Sequence, residues 1–171
     1  MLPPLIITAK MDALSFDIFD ELRRRHFPPE RNFLSAHITL FHHLPGEQIS
    51  IVENDLKNTV SGYAKISLNF SSVRFLGRGT AIEIDAPELV VLRANLAAKW
   101  REFLTPQDRQ KFKPHITVQN KTEPDAAKIL YEKLKVGWQN RMGDAIGLQL
   151  WHYLGGPWRL GEEFGFNTGE K

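Results

Sequence analysis

The sequence predicts an α+β fold that is duplicated and bilobal, with two antiparallel sheets lining a central cleft and helices on the outside. Three observations predict it. The order helix, strand, helix, hairpin can be read twice along the 171 residues, over about 12–86 and again over about 87–166. The first strand of each copy carries the same tripeptide, His37-Ile38-Thr39 and His115-Ile116-Thr117. No linker or low-complexity segment divides the chain, so residues 1–171 read as one bilobal domain.

The elements follow in order. Leu5 to Thr8 reads as a strand. Asp12 can cap a helix to about Arg25, with Leu14, Ile18 and Leu22 on its apolar face and the pairs Asp20–Arg24 and Glu21–Arg25 on its wet side. Pro28-Pro29 stops it. His37 to Leu44 reads as a strand. Ile49, Val52, Leu56 and Val60 mark a second helix, with Gly62 beyond its end. Ile66, Leu68 and Phe70 alternate as a strand running to Phe75, and Gly77-Arg78-Gly79 turns it into a partner with Ile82 and Ile84. The second copy starts after Pro87, where Leu89, Leu92, Leu96, Trp100 and Phe103 define a long helix. A polar, basic loop over Thr105 to Lys111 leads to the strand His115 to Gln119. Ala127, Leu130 and Leu134 mark the fourth helix. Ile146, Leu148, Leu150 and His152 alternate along a long strand, and Gly155-Gly156-Pro157 turns it into a last strand near Trp158 and Leu160.

Composition narrows the chemistry. The chain has no cysteine, which removes disulfide scaffolds, thiolate zinc sites, iron–sulfur clusters and thiol nucleophiles. Its 22 Lys and Arg against 20 Asp and Glu leave a formal charge of +2, too little for an electrostatic nucleic-acid coat. The start Met1-Leu2-Pro3-Pro4 has no basic region before a short apolar run, so a cytoplasmic protein that does not enter a membrane is expected. Six histidines remain as the side chains able to move protons near neutral pH.

Two of the six stand out. With 6 His, 12 Ile and 8 Thr, random order gives roughly 0.02 copies of His-Ile-Thr, and the chain has two. A single His-x-Thr or His-x-Ser carries little, since roughly 0.5 is expected by chance. Side chains alternate along a strand, so His37 shares a face with Thr39, and His115 with Thr117. Ile38, Leu40, Ile116 and Val118 take the opposite face, toward each lobe's helices. A pseudo-twofold axis between the lobes then sets two imidazoles and two hydroxyls around one cleft. That arrangement suits phosphodiester chemistry. One imidazole takes a proton from a nucleophile, the other gives one to the leaving oxygen, and the hydroxyls bind the non-bridging oxygens. The two rings are expected to differ in pKa. The sequence has no recurrent metal-ligand spacing, so neither metal nor cofactor is expected.

The paired strands, Pro114 before the second histidine and the duplicated order resemble the two-histidine (2H) phosphoesterase superfamily, and within it the 2′-5′ RNA ligase and RNA 2′,3′-cyclic phosphodiesterase group. The similarity spans nearly the whole chain, including Tyr153-Leu154-Gly155-Gly156-Pro157-Trp158. The resemblance implies metal-free cleavage of 2′,3′-cyclic phosphate ends or 2′-5′ linkages, reversible as ligation. It implies His115 as the base activating water and His37 as the acid for the leaving hydroxyl. It also implies a basic residue two before the second histidine, matched by Lys113. Phe41-His42-His43 after the first motif is not part of the general pattern.

Other residues are candidates for substrate contact. His43, six after His37, falls on the cleft face of an unbent strand, whereas His42 faces the other way and reads as structural. Tyr153 and Trp158 could stack a base, and Trp151 shares Tyr153's face, opposite His152. Lys113, with Arg109 and Lys111, could meet phosphate. The expected partner is an RNA end or a small nucleotide with a cyclic phosphate, met by a monomer. The competing readings are an RNA- or phosphate-binding module with the same cleft and weak catalysis, and a zinc hydrolase drawing on the surplus histidines.

Overall fold

Asp12 starts the first helix for the reason its sequence position suggests. In the computed structural model, which describes residues 1–167, its carboxylate accepts the Ser15 N–H at 2.9 Å and the Ser15 hydroxyl at 2.8 Å. The same carboxylate accepts the Asp144 N–H at 2.8 Å, so the cap also fastens the helix to a strand from the far end of the chain. The strand before it, β1 (Leu5–Met11), is almost wholly buried, three residues longer than the apolar run predicts. The helix, α1 (Ala13–His26), buries Ser15, Phe19, Asp20 and Arg23, and leaves Leu14 exposed. The apolar line Leu14-Ile18-Leu22 is therefore not its inner face. The inner face lies one residue along, because α1 presses a polar line against the sheet at Gly143, where a Cβ would overlap Ser15 Oγ.

The remaining elements run β2 (Ile38–Leu44), α2 (Ile49–Val60), β3 (Ile66–Phe75), β4 (Thr80–Asp85), α3 (Pro87–Lys99), β5 (His115–Gln119), α4 (Pro124–Gly137), β6 (Arg141–Tyr153) and β7 (Trp158–Gly165). Helix, strand, helix, hairpin occurs twice after β1. The helix α3 stops at Lys99, short of Phe103. There Trp100 leaves the helical line, packs edge-on to Phe41 with ring centres 4.9 Å apart, and donates its indole N–H to Asp55 at 2.9 Å. No helix among the described residues is long and apolar enough to cross a membrane.

All strand pairs are antiparallel and form one seven-stranded sheet in the order β2-β1-β6-β3-β4-β5, with β7 also on β6. The two expected sheets are thus halves of one sheet, β2-β1-β6-β7 and β6-β3-β4-β5, that share β6. The cause is the length of β6. Its first residues, Arg141 to Ala145, pair with β3, and Gly147 to Tyr153 pair with β7 on the same edge. Its other edge pairs with β1 from Ala145 to His152. Each hairpin joins the motif strand of the other sequence copy: β6-β7 lies with β1 and β2, and β3-β4 lies with β5. The motif strands β2 and β5 end the strand order, yet come within 8 Å of each other at their Cα atoms, as a strongly twisted sheet allows.

Asp12 offers a test of how the first helix is fastened. Burial raises its pKa, but hydrogen bonds from Asp144, Ser15 and Leu14 outweigh it, and the carboxyl is held below its ordinary value. Its stabilising contribution is therefore present above the unfolded pKa of about 3.9 and is lost as pH falls through the lower folded value. Asp12→Ala should cost about 1 kcal/mol or more at pH 7 in urea unfolding, with the difference from wild type shrinking below about pH 4.

Candidate active site

The two motifs form by the same local device. His37 lies directly before β2 and donates its Nδ1 proton to the Ser35 carbonyl at 2.7 Å. His115 opens β5 and donates its Nδ1 proton to the Lys113 carbonyl at 2.8 Å. A carbonyl only accepts, so both neutral rings carry the proton on Nδ1 and leave Nε2 with a lone pair. Ile38, Leu40, Ile116 and Val118 are fully buried behind them, while His37, Thr39, His115 and Thr117 remain partly accessible. The alternation read from the sequence holds across both motifs. The residue two before the second histidine touches the ring through its carbonyl, and the Lys113 side chain is exposed.

The helix α1 ties the two motifs together. Asp20 accepts the Ala36 N–H at 2.9 Å, next to His37. One turn on, Arg23 donates from Nη1 to the Thr117 carbonyl at 2.9 Å and from Nε to Asn32 at 2.9 Å. Asp20 does pair with Arg24 at 3.3 Å, as the i,i+4 spacing suggests, but it is buried rather than on the wet side. Burial lowers the Arg23 pKa to about 10, against the pull of Asp20, so the guanidinium stays charged at neutral pH.

Burial sets both imidazoles, and that charge adds to it at His37. The pKa of His37 is pushed down to about 4, first by desolvation and then by the charges of Arg23, His115 and His42, against the Ser35 hydrogen bond. His115 is also lowered, first by burial and then by Arg74 and His42, while the Lys113 carbonyl and Glu83 oppose the shift. Glu83 faces His115 across the β4–β5 register. Desolvation and the neighbouring cations both disfavour a positive ring, and together they outweigh the carbonyls and Glu83. Both rings are therefore neutral at pH 7.

A pocket of about 600 Å³ opens beside His37. Phe16, Phe33, Trp151 and Trp158 line it, with Lys10 and Gln149. The Trp158 ring lies 4.7 Å from His37 and 6.0 Å from Trp151. Trp151 donates its indole N–H to Thr8 at 2.9 Å, and the Thr8 hydroxyl donates to Gln149 at 3.0 Å, which fixes the tryptophan in place. Tyr153 pairs with Trp158 in the β6–β7 register but is exposed and outside the pocket lining. His152 pairs with Leu5 and takes the other face.

The unbent-strand expectation fails past Thr39. Thr8 opposes Thr39, but Ile7 opposes Phe41 and Leu5 opposes Leu44, so β2 carries two bulges. The first makes Leu40 and Phe41 both buried, and after it His42 is no longer on the core side. Sequence reasoning also passed over Asp108, whose carboxylate accepts the backbone N–H groups of His42 and His43 and the ring Nδ1–H of His42, all at 2.9–3.0 Å. An Asp in a basic loop gave no signal of that role. Among the described residues no cluster of three metal-ligating side chains is present.

The sequence matches the 2′-5′ RNA ligase superfamily over residues 12–157. The chain belongs to that superfamily. The resemblance to two-histidine phosphoesterases is thereby borne out, and membership supports an enzyme of the phosphoesterase type. No curated protein matches the chain in sequence. Among solved structures it is similar to TT0787 of Thermus thermophilus, at TM-score 0.69 and 17% identity, over 98% of this chain and 100% of that one. It is also similar to E. coli LigT complexed with ATP, at TM-score 0.60 and 17% identity over 97% and 98% of the two chains. LigT complexed with 3′-AMP gives 0.57 and 16% over 98% and 99%. At these identities the likeness is one of fold.

The electrostatics predict a titration. In long-range proton–nitrogen NMR of the phosphate-free superfamily member, both rings should be Nδ1–H tautomers at pH 7. His37 should titrate near 4, and His115 below the ordinary value of about 6.5. A ring with its midpoint above 6.5 contradicts the desolvated cleft.

Proposed function

We propose that this protein is a metal-free phosphodiesterase that hydrolyses 2′,3′-cyclic phosphate ends or 2′-5′ linkages of RNA or nucleotides. The observation that carries the reading is the matched pair of imidazoles. Each comes from one half of the sheet, and each has its Nδ1 engaged by a carbonyl, so Nε2 is free for proton transfer. Superfamily membership supports the same class of reaction. The pocket beside His37 supports a nucleotide rather than bare phosphate, because tryptophan faces stack bases at about 1–3 kcal/mol each. Trp158 is the residue we assign to that contact, and LigT, for its part, has been captured with 3′-AMP and with ATP.

In the proposed reaction a water oxygen attacks phosphorus while His115 takes its proton at Nε2. The bond to the leaving ribose oxygen breaks, and His37 supplies the proton to that oxygen. A phosphomonoester and a free hydroxyl result. His37 is neutral in the free protein at pH 7, so it gains its proton with the diester, whose negative charge offsets the desolvation that lowers its pKa. Thr39 and Thr117 donate to the non-bridging oxygens and hold the phosphorus in line. With a 5′-hydroxyl in place of water, His115 takes that hydroxyl's proton, and the 3′-oxygen of the cyclic phosphate leaves with a proton from His37. The product is a 2′-5′ linkage, and the rings exchange roles in the reverse of that step.

His37→Ala and His115→Ala should each lower turnover of a 2′,3′-cyclic nucleotide by about 10²–10⁴-fold, with EDTA without effect on the wild type. A p-nitrophenyl ester, whose leaving group needs no proton, should restore His37→Ala but not His115→Ala. Wild-type turnover in either alanine variant ends the proposal. Tight binding of phosphate ends by a wild type that does not turn them over would favour a binding module instead.

A further inference from the structure

His42 and His43 add two imidazole-bearing residues at the end of the first motif, outside the pattern that defines it. Their placement follows from the strand register. Between the pairs Ile7–Phe41 and Leu5–Leu44, the single residue Ile6 opposes both His42 and His43. Ile6 is on the same face of β1 as Thr8, and Thr8 opposes Thr39. The first bulge therefore returns His42 to the face that carries Thr39, the second sets His43 beside it, and both are exposed.

One of the two is held rigidly. Asp108, in the loop between α3 and β5, has a fully buried side chain. Its Oδ1 accepts the His42 backbone N–H and the His42 Nδ1–H, each at 2.9 Å, and its Oδ2 accepts the His43 N–H at 3.0 Å. Arg93 donates to the Asp108 carbonyl and, through Nε, to the Leu40 carbonyl at 3.1 Å, so the same loop closes the free edge of β2. Two backbone N–H groups already satisfy much of the carboxylate, and the ring adds a third bond while 42% of its side chain stays in solvent. With Nδ1 committed to Asp108, Nε2 is the atom His42 offers outward. His42 lies three residues along β2 from Thr39 on the same face, which sets it toward the cleft that Thr39 lines.

We propose that His42, positioned by Asp108, is a third anion-binding residue of this cleft, its Nε2 taking up a proton together with the anion and donating it in a hydrogen bond to a phosphate group held between His37 and His115. The inference rests on the reading above that phosphate binds there. The ligand class it favours is a phosphomonoester or inorganic phosphate. Such a dianion offers three non-bridging oxygens, one each for Thr39, Thr117 and His42, where a diester offers two. Asp108 acts through the ring and does not itself touch the anion.

Inorganic phosphate titrated at pH 7, with the histidine Cε1–H resonances followed by NMR, tests it. The His42 resonance should shift on the same saturation curve as those of His37 and His115. His42→Gln, whose amide can still donate to Asp108, should weaken phosphate binding about tenfold with Tm unchanged. Shifts at His37 and His115 without one at His42, or unchanged phosphate affinity in His42→Gln, overturn the inference and leave the catalytic reading intact. Silence at all three rings removes both. Should His42→Gln fail to fold, the wild-type titration decides alone.

Discussion

The strand β6 carries the relation between the two halves. It is hydrogen-bonded to β1 along one edge and to β3 and then β7 along the other, so neither half can rotate without breaking its ladder. Backbone groups buried inside a sheet have no other partners, and each one left unpaired costs about 1–3 kcal/mol. A long continuous strand is therefore a stiff hinge between two motif strands nearly eighty residues apart in sequence. The site inherits that stiffness. His37 and His115 stand at opposite ends of the strand order, on strands that meet because the sheet between them twists.

A second constraint is electrostatic. Crossing the gap between the motif strands, α1 puts Asp20 on the backbone beside His37 and the buried Arg23 on the Thr117 carbonyl. These bonds position the motifs, and the guanidinium also adds positive charge near His37, an imidazole already stripped of water. The cleft thus resists protonation, and in the proposed reaction it is the charge of the bound diester that offsets the same penalty. Positioning and proton affinity here share one residue, and the line of polar groups that does this on α1 displaces Leu14 to the surface.

Most of the fold was legible because its signals are local. Alternating Ile66, Leu68 and Phe70, the turn at Gly77 and the period of Leu89, Leu92 and Leu96 each depend on neighbours in sequence. The inner face of α1 was not legible, since Asp20 and Arg23 look like solvent pairs until the strands they serve are placed. The union of the two sheets was hidden for the same reason: a 13-residue strand looks alike whether it serves one sheet or two. In the candidate site, the paired His-x-Thr read through cleanly because its geometry is that of a short straight strand. The side of His42 did not, because bulges in β2 are visible only against the register of β1. Asp108 left no trace in the sequence, as its partners lie 65 and 66 residues away.

The central claim is that both halves of the sheet act on one phosphate. A crystal structure of the protein grown with inorganic phosphate tests it most directly. A single phosphate is expected within hydrogen-bond reach of the Nε2 atoms of both His37 and His115, with the Thr39 and Thr117 hydroxyls on its oxygens. Two separate phosphates, one at each histidine, or one that touches a single ring would contradict it.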